Sequence, residues 1–368
     1  MHRPNPPKID TCENPVNLCD FRTLAEARIP PEIFDYVDSG ACDEITARAN
    51  RRDLDDIRLR PLSLRNVADL DLSVRLLEHQ FSFPLGFSPT AFHRLVHNDG
   101  EASTATAART LNVPMIVSSM SSIPLEDVAA RSGNENLWFQ TYIFKDREVT
   151  KALVQRAERA GYRSIVVSTG CPVPGKRDKN IANKFALPEG VAAANFNRRD
   201  RVVYNNPIHS VDAAELDPSA TWKDIAWLRS NTDLPILLKG IMNALDVAPA
   251  LDLQVSGIIV SNHGGRQLDT TESTIKALPE IVAIVAGRVP VLVDSGFRRG
   301  TDVLKAIALG ADGVLLGRPV LWALAVDGEK GVIDAMNLLI DELRIAMRIA
   351  GCSTSATLRD HCRDLLRM

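Results

Sequence analysis

From residue 83 onward, short apolar runs alternate with polar or glycine-rich turns and then with helical patterns, and the rhythm repeats eight times. The runs are FPLGFSPT (83–90), PMIVSSM (114–120), LWFQTYI (137–143), SIVVSTG (164–170), LPILLKG (234–240), SGIIVSN (256–262), VPVLVDSG (289–296) and DGVLLGR (312–318). They are rich in β-branched and large apolar residues without strict polar alternation, which predicts parallel strands covered on both faces. Between them, segments such as DREVTKALVQRAERAG and TDVLKAIALGA carry apolar residues at three- and four-residue spacing, an acidic start and a glycine stop, which predicts helices.

Alternating strands and helices predict an α/β fold with a parallel sheet. Eight units over residues 83–368 fit a (β/α)8 TIM barrel better than a doubly wound sheet, which uses fewer strands and a switch point. Residues 1–82 stand outside the repeat and read as a helical extension packing on one end of the barrel. A long connection, about 171–221, follows the fourth strand; loops of that length are usually lids or disordered segments.

Composition narrows the function classes. The 368 residues are 45% hydrophobic and 24% charged, with a formal net charge of -3, so no overall field favours nucleic acid. The basic clusters GKRDK and NRRDR are short and interrupted by acids, and read as solvated loop charges. Six cysteines, at 12, 19, 42, 171, 352 and 362, show neither C-x-x-C pairs nor zinc spacing, so reduced thiols and no metal are expected. No apolar stretch approaches the roughly 20 residues that span a bilayer, and the N-terminus lacks a signal-type apolar region. A soluble, unsecreted protein without a membrane partner is expected.

In a barrel of this kind the chemistry lies at the C-terminal ends of the strands. Those ends carry Pro89, Thr90 and Ala91, then Ser118, Gln140, Tyr142, Ser168, Lys239, Ser261, His263, Arg266, Asp294, Gly296, Arg298, Gly317 and Arg318. The motifs DSGFRRG and GRP put glycines and arginines after the last two strands, where exposed N–H groups and guanidinium forks suit a phosphate. That phosphate could belong to a substrate or to a cofactor.

The motif SNHGGRQLD, with LLKG before it and DSGFRRGTDVLKAIALGADGVLLGRP after it, resembles the FMN-dependent 2-hydroxy acid oxidase family. The likeness runs from FDYVDSGACDE through SPTAF and FQTYIFKDREVTKALVQRAE to GVIDAMNLLIDELRIAMRIAGC, and has the flavour of the animal hydroxy-acid oxidase branch. It implies oxidation of a 2-hydroxy acid to a 2-oxo acid, with O2 as acceptor and H2O2 as product. By this resemblance His263 is the base, Arg266 and Tyr36 hold the substrate carboxylate, Tyr142 lies near its hydroxyl, and Arg177 is an arginine of the long loop that reaches the substrate. Lys239 would face the flavin ring. The other FMN contacts carry over to Pro89, Thr90, Ala91, Ser118, Gln140, Ser168, Ser261, Asp294, Gly296, Arg298, Gly317 and Arg318. Proton-first and hydride routes use the same residues. The resemblance also implies a homotetramer. With no suitable histidine pair in the N-terminal segment and no apolar segment in the long loop, neither a fused cytochrome nor a membrane anchor is expected. The C-terminal LLRM shares a basic penultimate residue with S-K-L tags but has leucine where a small residue belongs, leaving peroxisomal or cytoplasmic location open.

The chain departs from the resemblance at two places. Gly170, in STGCP, stands where the family carries an aspartate that orients the histidine, so weaker basicity is expected. Met120 stands where glycolate-type members often carry tryptophan, which implies room for a longer or aromatic substrate side chain. Two alternatives follow from Gly170: altered flavin chemistry such as oxidative decarboxylation, or a catalytically silent FMN-binding protein. Cys171 reads as a buried, inert thiol.

Overall fold

The computed structural model describes residues 14–133, 135–196 and 216–367. The N-terminal ten residues, Cys12 and the NRRDR cluster lie outside them. Eight parallel strands close into a barrel: β1 (Leu85–Phe87), β2 (Met115–Ser118), β3 (Leu137–Thr141), β4 (Ile165–Ser168), β5 (Ile236–Ile241), β6 (Gly257–Val260), β7 (Val291–Asp294) and β8 (Gly313–Leu316), with β8 paired to β1. Each coincides with one of the apolar runs. The runs overshoot because their polar last residues leave the ladder to enter the loops that line the site.

Side chains alternate faces along a strand. One face of each strand packs on the surrounding helices, and the other points into the barrel. Inside, Ile116, Trp138, Val166, Leu237, Ile259, Leu292 and Leu315 form one apolar cluster. Two residues further along, the same inward face carries Ser118, Gln140, Ser168, Lys239, Ser261 and Asp294. The strand period therefore stacks a polar layer directly on an apolar one.

The predicted helices are present, including Arg147–Arg159, whose first turn is capped by the Asp146 side chain accepting from Glu148 N–H. The extension before the barrel packs at both ends, not one. Helices α1 (Leu18–Arg28), α2 (Pro31–Asp38) and α3 (Ile45–Asp56) precede a two-stranded hairpin, Val74–Leu76 with His79–Phe81. Its Leu76 and Phe81 join the apolar cluster inside the barrel and plug it from below. Helices α2 and α3 sit at the opposite, polar end. Arg58–Leu59 pairs with Leu366–Arg367, and Arg60, Leu62 and Asp71 donate backbone N–H groups to Leu365, Ala350 and Ser353.

The described part of the long connection contains a short helix, Asp178–Ala182, and Leu216 returns to bridge Phe144. No helix among the described residues is long and apolar enough to cross a membrane.

Candidate active site

The polar layer is nearly a closed hydrogen-bonded belt. Ser88 Oγ donates to Asp294 (2.9 Å), Lys239 Nζ reaches Asp294 (2.9 Å) and Ser261 Oγ (2.8 Å), and Gln140 joins Ser118 (3.2 Å) to Ser168 (3.0 Å). Burial alone would raise the Asp294 carboxyl. Lys239, Ser261 and Ser295 outweigh that and hold it below the usual carboxylate range.

Above the belt, one pocket is lined by Tyr36, Pro89, Thr90, Ala91, Met120, Tyr142, Arg177, Lys239, His263, Arg266, Asp294, Gly296, Arg298, Gly317 and Arg318. The fold therefore brings together fifteen residues expected from the sequence. Ser168 and Ser261 line a neighbouring cavity instead. Ser118 and Gln140 line neither and act through the belt. Arg177 corrects the reading of GKRDK as wholly solvated: Lys176 and Lys179 pair at the surface with Asp178 and Glu44, while Arg177 turns inward with its Nε buried and unpartnered.

His263 is held by an unusual backbone. It has φ +56°, followed by Gly264 at +68° and Gly265 at +70°, three successive left-handed residues that the two glycines make feasible. Ser261 Oγ accepts the His263 N–H, and Asn262 Oδ1 accepts that of Gly265. Asn262 and Asn50 of α3 exchange amide hydrogen bonds at 2.9 and 2.7 Å. The extension thus braces the turn that aims the imidazole.

The imidazole is kept neutral. Burial, then Lys239, Arg177, Arg266 and Arg318, push its pKa well below 6.5. Its Nδ1 lies 3.3 Å from Cys171 Sγ. Sequence reasoning expected Cys171 to be buried, as it is, but missed this contact; its adjacency to Gly170 was the available signal. Burial pushes the Cys171 thiol up, so it faces the histidine uncharged. Burial also raises the Tyr142 hydroxyl, which remains a proton donor near neutrality.

The cations are concentrated beyond local need. Arg266 and Arg318 both donate to the Ser39 carbonyl, at 2.8 and 2.9 Å, and Arg266 lies over the Tyr36 ring at 5.5 Å. Ser39 was not expected from the sequence, because a backbone carbonyl carries no motif. Burial and the neighbouring arginines lower Arg266 well below its usual value, and burial with Arg318 brings Arg298 to about 10. Arg318 Nε is buried without a partner. Crowded, partly unpartnered guanidinium groups in a pocket are arranged for anions that the chain itself does not supply. A phosphate and a carboxylate, as in FMN with a hydroxy acid, fit that donor set. Among the described residues no group of His, Cys, Asp and Glu is placed to hold a metal ion.

Comparison with known proteins agrees with this geometry. Glycolate oxidase 2 of Oryza sativa subsp. indica is 43% identical over 342 residues, covering 92% of this chain and 93% of the relative. 2-Hydroxyacid oxidase 1 of Homo sapiens is also 43% identical, covering 90% and 92%. A crystal structure of mandelate oxidase superposes with a TM-score of 0.89 at 41% identity, covering 96% of this chain and 98% of that one. The pattern of the FMN-dependent dehydrogenases matches residues 25–364, and the chain belongs to that family.

Proposed function

We propose that the protein oxidises a 2-hydroxy acid to the 2-oxo acid with FMN, and that O2 is the final acceptor, leaving as H2O2. The observation that carries this reading is one buried neutral imidazole, His263, in the same pocket as Arg177 and Arg266. A base beside an anion clamp is what removal of a proton from a hydroxy acid requires.

FMN, when bound, supplies the two-electron sink. Arg298, Arg318, Gly296 and Gly317 would take its phosphate, with Pro89, Thr90, Ala91, Ser118, Gln140, Ser168, Ser261 and Asp294 as further contacts or supports. Lys239 would face the ring, where a fixed cation favours negative charge. Arg266, Arg177 and Tyr36 hold the substrate carboxylate, and a guanidinium fork gives it one orientation. Tyr142 donates to the substrate hydroxyl. With Nδ1 engaged by Cys171, Nε2 of His263 is the nitrogen that takes the proton. Met120, buried in the pocket wall, leaves space for a side chain larger than hydrogen. We further infer a homotetramer, in the peroxisome or cytoplasm.

The test is anaerobic bleaching of the yellow holoprotein by glycolate, lactate, 2-hydroxyoctanoate and mandelate, followed by product analysis in air with catalase present. Bleaching with a 2-oxo acid product is the expected result. A shortened acid plus CO2 would establish decarboxylation instead, and no bleaching by any acid would establish a silent flavin binder.

A further inference from the structure

Behind His263 lies a second cavity, of about 170 Å³, between the ends of β4, β5 and β6. Its walls include Gly170, Cys171, Gly240, Met242, His263 and Leu268. Two glycines facing each other leave it open: a Cβ on Gly170 would lie 3.3 Å from Gly240 Cα. Leu268, 74% exposed, and half-buried Met242 flank it. It is roomy and partly polar, so it can hold water or a small solute.

The charges around this cavity do not balance once the main pocket is filled. Lys239 is matched by Asp294. Arg298 and Arg318 are matched by a phosphate dianion, and one of Arg177 and Arg266 by a substrate carboxylate. One guanidinium charge remains, and a proton arriving on His263 adds a second. Among the described residues the imidazole Nδ1 has one hydrogen-bond partner, the Cys171 thiol, which brings no charge.

We propose that this cavity is a subsite for a small monocarboxylate, of formate or acetate size, which pairs with His263 as it takes up the substrate proton. The inference rests on the role of His263 as base. The proton stays on the imidazole, and the anion supplies only the opposing charge. Formate should therefore raise kcat at saturating hydroxy acid, where competition for the Arg177 and Arg266 clamp no longer matters.

The experiment uses the holoprotein, with Gly170→Asp, which places a carboxylate in the cavity, and Met242→Trp, which fills it from the flank. Retained flavin colour identifies folded variants, and Met242→Trp serves if Gly170→Asp does not fold. Equilibrium dialysis with radiolabelled formate should find one more equivalent bound per wild-type chain than per variant chain. Formate should raise wild-type kcat by about tenfold, which corresponds to ~1.4 kcal/mol of barrier, and leave the variants unmoved. Equal stoichiometry in all three proteins overturns the subsite, and extra binding without a change in kcat overturns its role. If no hydroxy acid reduces the flavin, the functional reading fails while the dialysis still decides the site.

Discussion

Lys239 and Asp294, on strands β5 and β7, form an ion pair of 2.9 Å buried on both sides, and Ser261 of the intervening strand β6 receives a second hydrogen bond from the lysine. The pair crosses the inside of the barrel above its apolar layer. Breaking such a pair leaves an uncompensated charge in low dielectric. Lys239→Met is expected to cost about 3–5 kcal/mol of unfolding free energy, read as a fall in the urea midpoint, whereas replacement of both residues by apolar ones should recover much of it.

The pH dependence follows from the depressed His263. The reactive form is the neutral imidazole, and in the folded protein it persists below the usual value of 6.5 because of burial and the cations Lys239, Arg177, Arg266 and Arg318. Cys171 and Tyr142, both held protonated, add no charge near neutrality. The acid limb of kcat/KM should lie below pH 6.5, with a flat profile above it, and Arg177→Met should move that limb upward by removing a cation. Stability carries the same sign. The contribution from His263 is fully present above the unfolded value and is lost as pH falls, because the unfolded chain protonates first. Rapid-reaction flavin reduction and urea midpoints across the acid range check both statements.

Asn50 lies far from any reacting atom but braces the left-handed turn through Asn262. Asn50→Ala leaves a buried amide without its partner, at about 1–3 kcal/mol. Loosening a turn that aims the base should lower the flavin reduction rate on the order of tenfold, with flavin content unchanged. An unaltered rate would show that the glycine pair alone fixes the imidazole.

Met120 sets the reach of the pocket. Met120→Trp is expected to reduce kcat/KM for 2-hydroxyoctanoate and mandelate by about 10–100-fold, the scale of steric discrimination in apolar pockets, while sparing glycolate. Parallel loss on all acids would mean that the residue supports the fold and does not select the substrate.

Most of the architecture was legible from residue pattern. The apolar runs gave the strands, because burial on both faces leaves no polar interruptions, and their polar ends gave the belt and pocket. The hairpin Val74–Leu76 with His79–Phe81 was not legible: its strands are too short for a period to emerge, and its two core residues, Leu76 and Phe81, find their partners on distant strands. Nor could the pattern reveal Ser39, which works through its carbonyl, or the approach of Cys171 to His263, which depends on two loops meeting across 92 residues of chain. Residues whose side chains do chemistry leave a trace in sequence, whereas those that act through backbone or by proximity do not.

The pairing of Arg58–Leu59 with Leu366–Arg367 bears on the order of assembly during synthesis. The barrel strands are all made by Leu316, yet the segment that joins the extension to the barrel waits for partners some fifty residues later. Tyr36, Ser39 and Asn50 all belong to that extension. A nascent chain halted after its eighth strand would have a barrel without a seated clasp, so competence to grip an acid should arrive only as the polypeptide leaves the ribosome.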